Sequence, residues 1–251
     1  MRDYGKETQN RVAFIRRVLK ESGARGIVFG NSGGKDSVLV GILCKIACDN
    51  TVGIMMPCGS NCNYGADMYD ALMVAEQYGI GSRIVDLSDV AEDIKKALSD
   101  ATELTAIAAS NIAPRLRMTA LYAVAGSEGR LVAGTGNRSE NYMGYFTKWG
   151  DGAFDFNPIA DLTVTEIYEF LEHLNAPRRI VDKAPSAGLV DGQTDEGDMG
   201  VTYRSIDSFL MSGTCPPEDM EIITRYHRAG EHKRNRPMVY ETDGRQEEHN
   251  I

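Results

Sequence analysis

The sequence predicts a doubly wound α/β fold with a mostly parallel sheet flanked by helices. Short apolar runs of strand length alternate with segments whose apolar residues have helical spacing, as βαβ units require. A glycine-rich turn over residues 30–37 joins the first such run to a helix, and the turns 57–62 and 134–140 also follow strands. Ligands of parallel sheets bind at the carboxyl ends of the strands, so we expect the functional site where these turns meet.

The N-terminal part of the chain contains three of the predicted strand–helix units. Apolar residues among charges predict an amphipathic helix over 4–22, which Gly23 ends. Pro57 stops the second strand, and Ser88 or Asp89 caps the helix that follows the third. The predicted strands cover 27–29, 51–56 and 83–87, and the helices between and after them cover 36–47, 66–78 and 88–98.

The C-terminal part predicts one further strand, over 130–134, between helices. An alanine-rich helical pattern over 102–125 is interrupted at Pro114, and helices follow over 138–145 and from Thr163 or Thr165 to 174. Glycine and aspartate are frequent over 186–202, which predicts a mobile loop, and the polar tail 241–251 is predicted to fray. We expect residues 1–251 to form a single domain.

Composition and charge narrow the class of protein. The 42% hydrophobic content is ordinary for a globular chain, and no apolar run reaches the length of a membrane span. The N-terminal residues lack the apolar segment of a signal peptide, so we expect a cytoplasmic protein. A net charge of −9 disfavours a nucleic-acid partner.

The five cysteines are an odd number, which argues against a disulfide framework. Cys44 and Cys48 lie four residues apart in an apolar helix and are interpreted as small core residues. Cys58 and Cys62 lie in a loop after a strand, where a metal or a sulfur-relay role stays open beside an ordinary loop role.

The turn over residues 30–37 is suited to phosphate. Unpaired backbone N–H groups and the helix dipole meet there. Lys35 is followed by Asp36, so the turn is not a Walker loop, and its glycine spacing does not give a dinucleotide fingerprint. The candidate phosphate-binding residues of the turn are Gly30, Asn31, Ser32, Gly33, Gly34, Lys35, Asp36 and Ser37. Asp36 can also hold a Mg²⁺ ion beside the phosphate, because Mg²⁺ prefers few carboxylates plus phosphate oxygens.

The pattern Ser-Gly-Gly-Lys-Asp-Ser over residues 32–37 resembles the loop of the PP-loop ATP pyrophosphatases. Segments of the second half resemble the ammonia-dependent NAD synthetases of that family, over roughly residues 10–240: 115–118, 134–140, 146–152, 155–158, 183–186 and 231–234. The resemblance implies the adenine nucleotide alpha-hydrolase-like fold and a carbon–nitrogen ligase. Such an enzyme adenylates nicotinate adenine dinucleotide (deamido-NAD) with ATP and Mg²⁺, releases pyrophosphate, and lets ammonia displace AMP to form NAD.

The resemblance also assigns roles by position. The resemblance implies that Asp36 and Glu140 are the two Mg²⁺ carboxylates and the catalytic residues. It also implies that the turn over 30–37 binds the ATP phosphates and that Thr135 and Ser186 are further ATP contacts. The implied contacts to deamido-NAD are Arg115, Lys148, Asp155, His232 and Lys233. Ordinary structural alternatives stay open: a first-turn helix acid for Glu140, an ion pair on a helix face for Arg115, a surface lysine for Lys148, a turn residue for Asp155, a turn cap for Ser186, and a solvated basic patch for 232–234. A homodimer that packs through the helices of 102–125 is implied as well.

One position departs from the family pattern, because Val164 stands where many members carry an ATP-binding lysine. Either Lys35 or Lys183 supplies the missing cation, or ATP binds more weakly. Two rival functions stay open, and only the second of them draws support from Val164. A PP-loop enzyme that thiolates tRNA would use Cys58 or Cys62, and a non-catalytic nucleotide-binding module would bind ATP without turnover.

Overall fold

A four-stranded parallel sheet forms the centre of the computed structural model, which describes residues 2–59, 65–183, 185 and 194–240. Its order is β3-β2-β1-β4, with β1 at Gly26–Gly30, β2 at Thr51–Met55, β3 at Gly81–Ile84 and β4 at Arg130–Val132. The chain runs outward from β1 to β3 and then returns to the other side of β1 for β4. This reversal confirms the doubly wound prediction and creates a switch point between β1 and β4.

Helices connect and cover the strands. α1 begins after Asp3, whose carboxylate accepts from Lys6 N at 3.0 Å, and ends at Gly23 in the left-handed conformation. The described helices are α1 Tyr4–Ser22, α2 Lys35–Ala47, α3 Ala66–Tyr78, α4 Ser88–Ser99, α5 Ala106–Ser110, α6 Ile112–Glu128, α7 Arg138–Met143, α8 Val164–His173, α9 Arg178–Val181, α10 Asp195–Met199, α11 Tyr203–Ser212, α12 Pro217–Ala229 and α13 Glu231–Arg234.

Alternate side chains of β1 enter two different cores, as the twofold period of a strand requires. Ile27 and Phe29 pack with α1, α2 and α8 on one face of the sheet. Val28 packs with Val132 and with Ala125 of α6 on the other face. A third apolar cluster joins α7, α8, α11 and α12 beyond the carboxyl ends of the strands.

Two elements differ from their predicted positions. β3 begins earlier than expected and ends at Ile84, because its register with β2 ends at the pair Met55–Ile84; all four of its residues are exposed. Pro114 does not interrupt a helix. It lies in the first turn of α6, where the missing N–H has no helical partner, and the break falls at Asn111 between α5 and α6.

The segments predicted to be mobile or frayed fall mostly outside the described residues, which omit 186–193 and 241–251. Within the predicted loop, residues 195–199 form α10 instead, and Thr194 caps it by accepting from Gly197 N at 3.2 Å. None of the described helices combines the length and the apolar character needed to cross a bilayer.

Candidate active site

A cavity of about 1110 Å³ opens at the carboxyl ends of β1, β2 and β4. Its wall includes Gly30, Met55 and Val132 at the strand ends, together with residues of α6, α7 and the C-terminal helices. Single-ligand pockets usually measure roughly 300–1,000 Å³. The volume of this cavity lies just above that range, so it has room for a large ligand.

The glycine turn forms one wall of the cavity. It begins at Gly30, and α2 starts at Lys35 with Gly34 as an N-cap that has no side-chain partner. Gly33 has φ +70° and lies so close to α3 that an added Cβ would be 2.3 Å from Asp67 O. The turn is therefore pressed against a neighbouring helix while the free N–H groups of α2 remain at the cavity.

The polar side chains of the turn divide into two groups. Asn31 is buried and donates from Nδ2 to Ala71 O at 3.2 Å, so it anchors the turn to α3. Ser32 and Ser37 lie with their hydroxyl oxygens 3.1 Å apart at the cavity wall. The seven predicted turn residues other than Gly33 line the cavity, whereas Gly33 packs against α3.

Lys35, Asp36 and Glu140 meet at the β1–β4 switch point. Lys35 Nζ lies 2.7 Å from Asp36 Oδ2 and 3.6 Å from Glu140 Oε1. Asn137 holds both carboxylates by their other oxygens: its Nδ2 donates to Asp36 Oδ1 at 3.0 Å, and its backbone N donates to Glu140 Oε2 at 3.2 Å. The second contact belongs to the capping box of α7. The structure thus brings together the two predicted metal ligands.

The electrostatics of this centre follow from burial and like charge. Burial raises the pKa of Glu140, the neighbouring Asp36 raises it further, and it stands at about 8 although Lys35 and Asn137 act in the opposite direction. Burial alone would lower the pKa of Lys35, but the charges of Asp36 and Glu140 outweigh it and hold the pKa above the ordinary value. The two acidic side chains therefore favour the charged form of Lys35.

The donor set fits a magnesium ion that also binds phosphate. Among the residues that the structure describes, no cluster of three or more histidine, cysteine or acidic side chains is arranged to hold a metal alone. Mg²⁺ is commonly held by one or two carboxylates and completes its shell with water and substrate phosphates. Asp36 and Glu140 provide two carboxylates beside a turn suited to phosphate.

Two predicted residues of the second half also lie at the cavity. Thr135 follows β4 on its wall. Lys233 lines the opposite side and donates from Nζ to Gly144 O and Phe146 O, both at 2.8 Å. Burial lowers the pKa of Lys233.

Three predicted contacts to the dinucleotide form a separate cluster that does not line the cavity. Arg115 Nη2 donates to Lys148 O at 3.4 Å, and Lys148 Nζ donates to the backbone oxygen of His232. Asp155 lies elsewhere, at the edge of β4, where its Oδ2 accepts from Val132 N at 2.7 Å and its Oδ1 from Tyr122 at 3.2 Å. Ser186 lies outside the described residues.

Val164, which stands in place of a lysine, and the two lysines named as alternative replacements lie in different surroundings. Val164 is buried in the apolar cluster of α7, α8, α11 and α12. Lys183 lines the cavity and donates from Nζ to Asp67 at 2.7 Å and to Asp70 at 2.8 Å. Lys35 lies inside the phosphate turn itself.

Several cavity residues were not assigned a role from the sequence. Arg117 of α6 lines the cavity, donates from Nε to Met56 O at 3.0 Å, and has a pKa lowered by burial. Tyr168 of α8 also lines it. The sequence placed both residues close to positions already considered. Arg117 lies in the segment 115–118 that carries the family resemblance, and Tyr168 lies one helical turn after Val164.

Comparison with known proteins identifies the family. The family model described as NAD synthase matches residues 7–237. The chain belongs to the NAD synthase family. An NH(3)-dependent NAD(+) synthetase of Carboxydothermus hydrogenoformans is 43% identical over 240 residues, which covers 94% of this chain and 98% of that protein.

Solved structures agree with this NAD synthase assignment. The NMN synthetase of Francisella tularensis has a TM-score of 0.91 at 34% identity, covering 96% of this chain and 100% of that one. The NH3-dependent NAD synthetase of Campylobacter jejuni has a TM-score of 0.79 at 29% identity, with the same coverage of 96% and 100%. The predicted family, fold class and ligase class are therefore confirmed.

Proposed function

We propose that Asp36 and Glu140 activate ATP for the reaction of this family member, the ammonia-dependent conversion of deamido-NAD to NAD with release of AMP and pyrophosphate. The chain is an ATP-dependent carbon–nitrogen ligase of the NAD synthase family. The single observation that supports this role of Asp36 and Glu140 is that their side chains meet beside the phosphate turn. The tRNA-thiolating alternative is not favoured by the relatives.

The turn and the start of α2 bind the phosphates of ATP in this proposal. Free N–H groups at a helix N-terminus attract anions, and Ser32 and Ser37 add two hydroxyl groups. Asp36 and Glu140 would hold Mg²⁺ at the same place. When bound, the ion neutralises the pyrophosphate that departs as the substrate carboxylate is adenylated.

Adenylation brings two anions together, the carboxylate of the substrate and the α-phosphate of ATP. Fixed cations and N–H groups stabilise the charge that develops on the leaving pyrophosphate. The reaction requires no nucleophile from the protein, because the substrate carboxylate attacks the phosphate and ammonia later attacks the adenylate. Catalysis then rests on position and charge.

The basic cluster of Arg115, Lys148 and His232 is proposed to bind deamido-NAD, with Lys233 and Asp155. Guanidinium and ammonium groups suit the pyrophosphate of a dinucleotide. Thr135 and Ser186 are proposed as ATP contacts. Lys148 also lies 5.5 Å from the Trp149 ring centre, and that ring is 56% exposed, which leaves an aromatic surface next to the cluster.

A homodimer through α5 and α6 is part of the proposal. Ile107 of α5 is 76% exposed, and the Arg115 side of α6 faces outward in one copy. A second copy packed on this face would cover the Ile107 side chain and would lie next to the basic cluster that contains Arg115. Sedimentation equilibrium at working concentration tests this, and a monomer at all concentrations would exclude it.

The partners of the enzyme are proposed to be deamido-NAD, ATP and ammonia, without nucleic acid, and its location the cytoplasm. The acidic net charge of −9 and the four described cysteines, which are all free, are consistent with this.

The direct test mixes the protein with ATP, Mg²⁺, ammonium and deamido-NAD and measures products by chromatography. NAD, AMP and pyrophosphate should form in equal amounts. Formation of ADP and phosphate would contradict adenylation, and ATP binding without any turnover would favour a non-catalytic module.

A second candidate substrate is nicotinate mononucleotide, which the same chemistry would convert to NMN. The TM-score of 0.91 to the NMN synthetase favours it, compared with 0.79 to the NAD synthetase of Campylobacter jejuni. Parallel measurements of kcat/KM for the mononucleotide and the dinucleotide decide between them. A ratio well above one for deamido-NAD supports the first proposal.

A further inference from the structure

The ammonium of Lys35 occupies the space between the two carboxylates proposed to hold Mg²⁺. We propose that Lys35 is the internal counter-ion of this pair: it competes with Mg²⁺ in the ligand-free enzyme and turns to the ATP phosphates when the metal takes the carboxylates. The proposal rests on the metal role proposed above for Asp36 and Glu140.

The geometry of the carboxylates supports competition for the same oxygen atoms. Each carboxylate gives one oxygen to Asn137, namely Asp36 Oδ1 and Glu140 Oε2. The remaining oxygens, Asp36 Oδ2 and Glu140 Oε1, lie 2.7 and 3.6 Å from Lys35 Nζ. A metal ion bound by the two free oxygens would need the place that the ammonium holds.

Burial makes this competition strong. The Lys35 side chain is 6% exposed, and its Nζ lies 5.6 Å from the centre of the Tyr203 ring. Charges in such a site are poorly screened by water. A monovalent and a divalent cation therefore repel each other across a few ångströms, and binding of the metal displaces the ammonium.

Lys35 is well placed to meet phosphate after displacement. It is the first residue of α2, in the same turn as Ser32 and Ser37, and it lines the cavity. The two other lysines on the described cavity wall have different fixed partners: Lys183 pairs with α3, and Lys233 donates to two backbone carbonyls. Of the three lysines on the described cavity wall, Lys35 is thus the one that pairs with the carboxylates proposed to bind the metal.

The experiment measures Mg²⁺ binding to the protein without ATP, by isothermal titration calorimetry, and the KM for ATP. Lys35→Met should tighten Mg²⁺ binding about tenfold, because a charge-assisted competitor is lost, and should raise the KM for ATP by about tenfold or more. Lys45→Met is the matched control on the same helix. Lys45 pairs with the fully exposed Asp49 at 3.2 Å, and its removal should change neither value.

Lys35→Gln provides a second variant that keeps a donor for the buried carboxylates, in case a thermal melt shows that Lys35→Met does not fold. Lys35→Met and Lys35→Gln should both tighten Mg²⁺ binding and should both raise the KM for ATP. Unchanged or weaker Mg²⁺ binding in the folded variants would overturn the proposal. Tighter Mg²⁺ binding with an unchanged KM for ATP would overturn the proposed contact between Lys35 and the ATP phosphates.

Asp36→Asn separates this inference from the metal proposal. If Asp36→Asn weakens Mg²⁺ binding while the Lys35 variants leave it unchanged, only the counter-ion role is wrong. If Asp36→Asn binds Mg²⁺ as wild type does, the metal role itself is wrong, and the Lys35 proposal falls with it.

Discussion

The close approach of the phosphate turn to α3 can be tested by substituting Gly33 with alanine. Gly33 has φ +70°, and its added Cβ would lie 2.3 Å from Asp67 O, a backbone atom that cannot move aside alone. The left-handed conformation costs a non-glycine residue about 1–2 kcal/mol. Overpacking adds roughly 1–3 kcal/mol. Gly33→Ala should therefore lower the free energy of unfolding by about 2–5 kcal/mol in total.

Gly23→Ala is the control that isolates the conformational part of this cost. Gly23 has φ +68°, and no atom lies within 4 Å of its added Cβ. Only the left-handed conformation should be penalised there, by about 1–2 kcal/mol. Urea unfolding followed by circular dichroism gives both free energies, and the difference between the variants measures the clash with α3.

The same substitution should affect nucleotide binding, because relief of the clash moves the turn that presents Ser32 and the α2 N–H groups to the cavity. Gly33→Ala should raise the KM for ATP, and Gly23→Ala should leave it unchanged. Equal loss of stability in the two variants would show that α3 does not press on the turn. A wild-type KM in Gly33→Ala would show that ATP binding does not depend on the turn geometry.

The remaining predictions concern the metal ligands, acid stability and the cysteine loop. Asp36→Asn and Glu140→Gln should each reduce kcat by about a hundredfold or more while circular dichroism shows an intact fold, since a proposed metal ligand is lost; full activity in either variant would refute its role. Burial alone would raise the pKa of Asp161, but Arg11 outweighs it and holds the pKa at about 2. This pair should therefore stabilise the fold above the unfolded pKa of about 4 and cease to do so as the pH falls toward 2; Asp161→Asn should destabilise the protein at pH 6 but not at pH 2, and a pH-independent difference would contradict this. Cys58→Ser should retain full NAD synthesis, and loss of activity would revive a sulfur-relay role.

The local signals in the sequence predicted most elements of the fold. Apolar runs and their flanking glycines and prolines located all four described strands, because strand length and turn residues are short-range properties. The predicted limits of β3 were wrong because they depend on pairing with β2, which the residues of β3 alone do not encode. Pro114 was misjudged because a proline in the first turn of a helix has the same local appearance as one that breaks it.

The site was predictable where position along the chain decides it. Asp36 and Glu140 each follow a strand of a parallel sheet, and the carboxyl ends of parallel strands lie at one edge. The partners of side chains were not predictable in this way. Asp155 follows β4 in sequence but contacts the edge of that strand and Tyr122, and Lys183 reaches across to α3.

The sequence by itself determined the doubly wound fold, the phosphate turn and the family resemblance, since each is written in residues close together or in ordered motifs. Only the tertiary structure decided that Lys35 lies between the carboxyl groups of Asp36 and Glu140, that Val164 enters an apolar cluster, and that Arg115, Lys148 and His232 meet outside the cavity. Apart from the pair of neighbours Lys35 and Asp36, these contacts join residues that lie far apart in the sequence. Their distances depend on how helices pack on the sheet, which no short segment specifies.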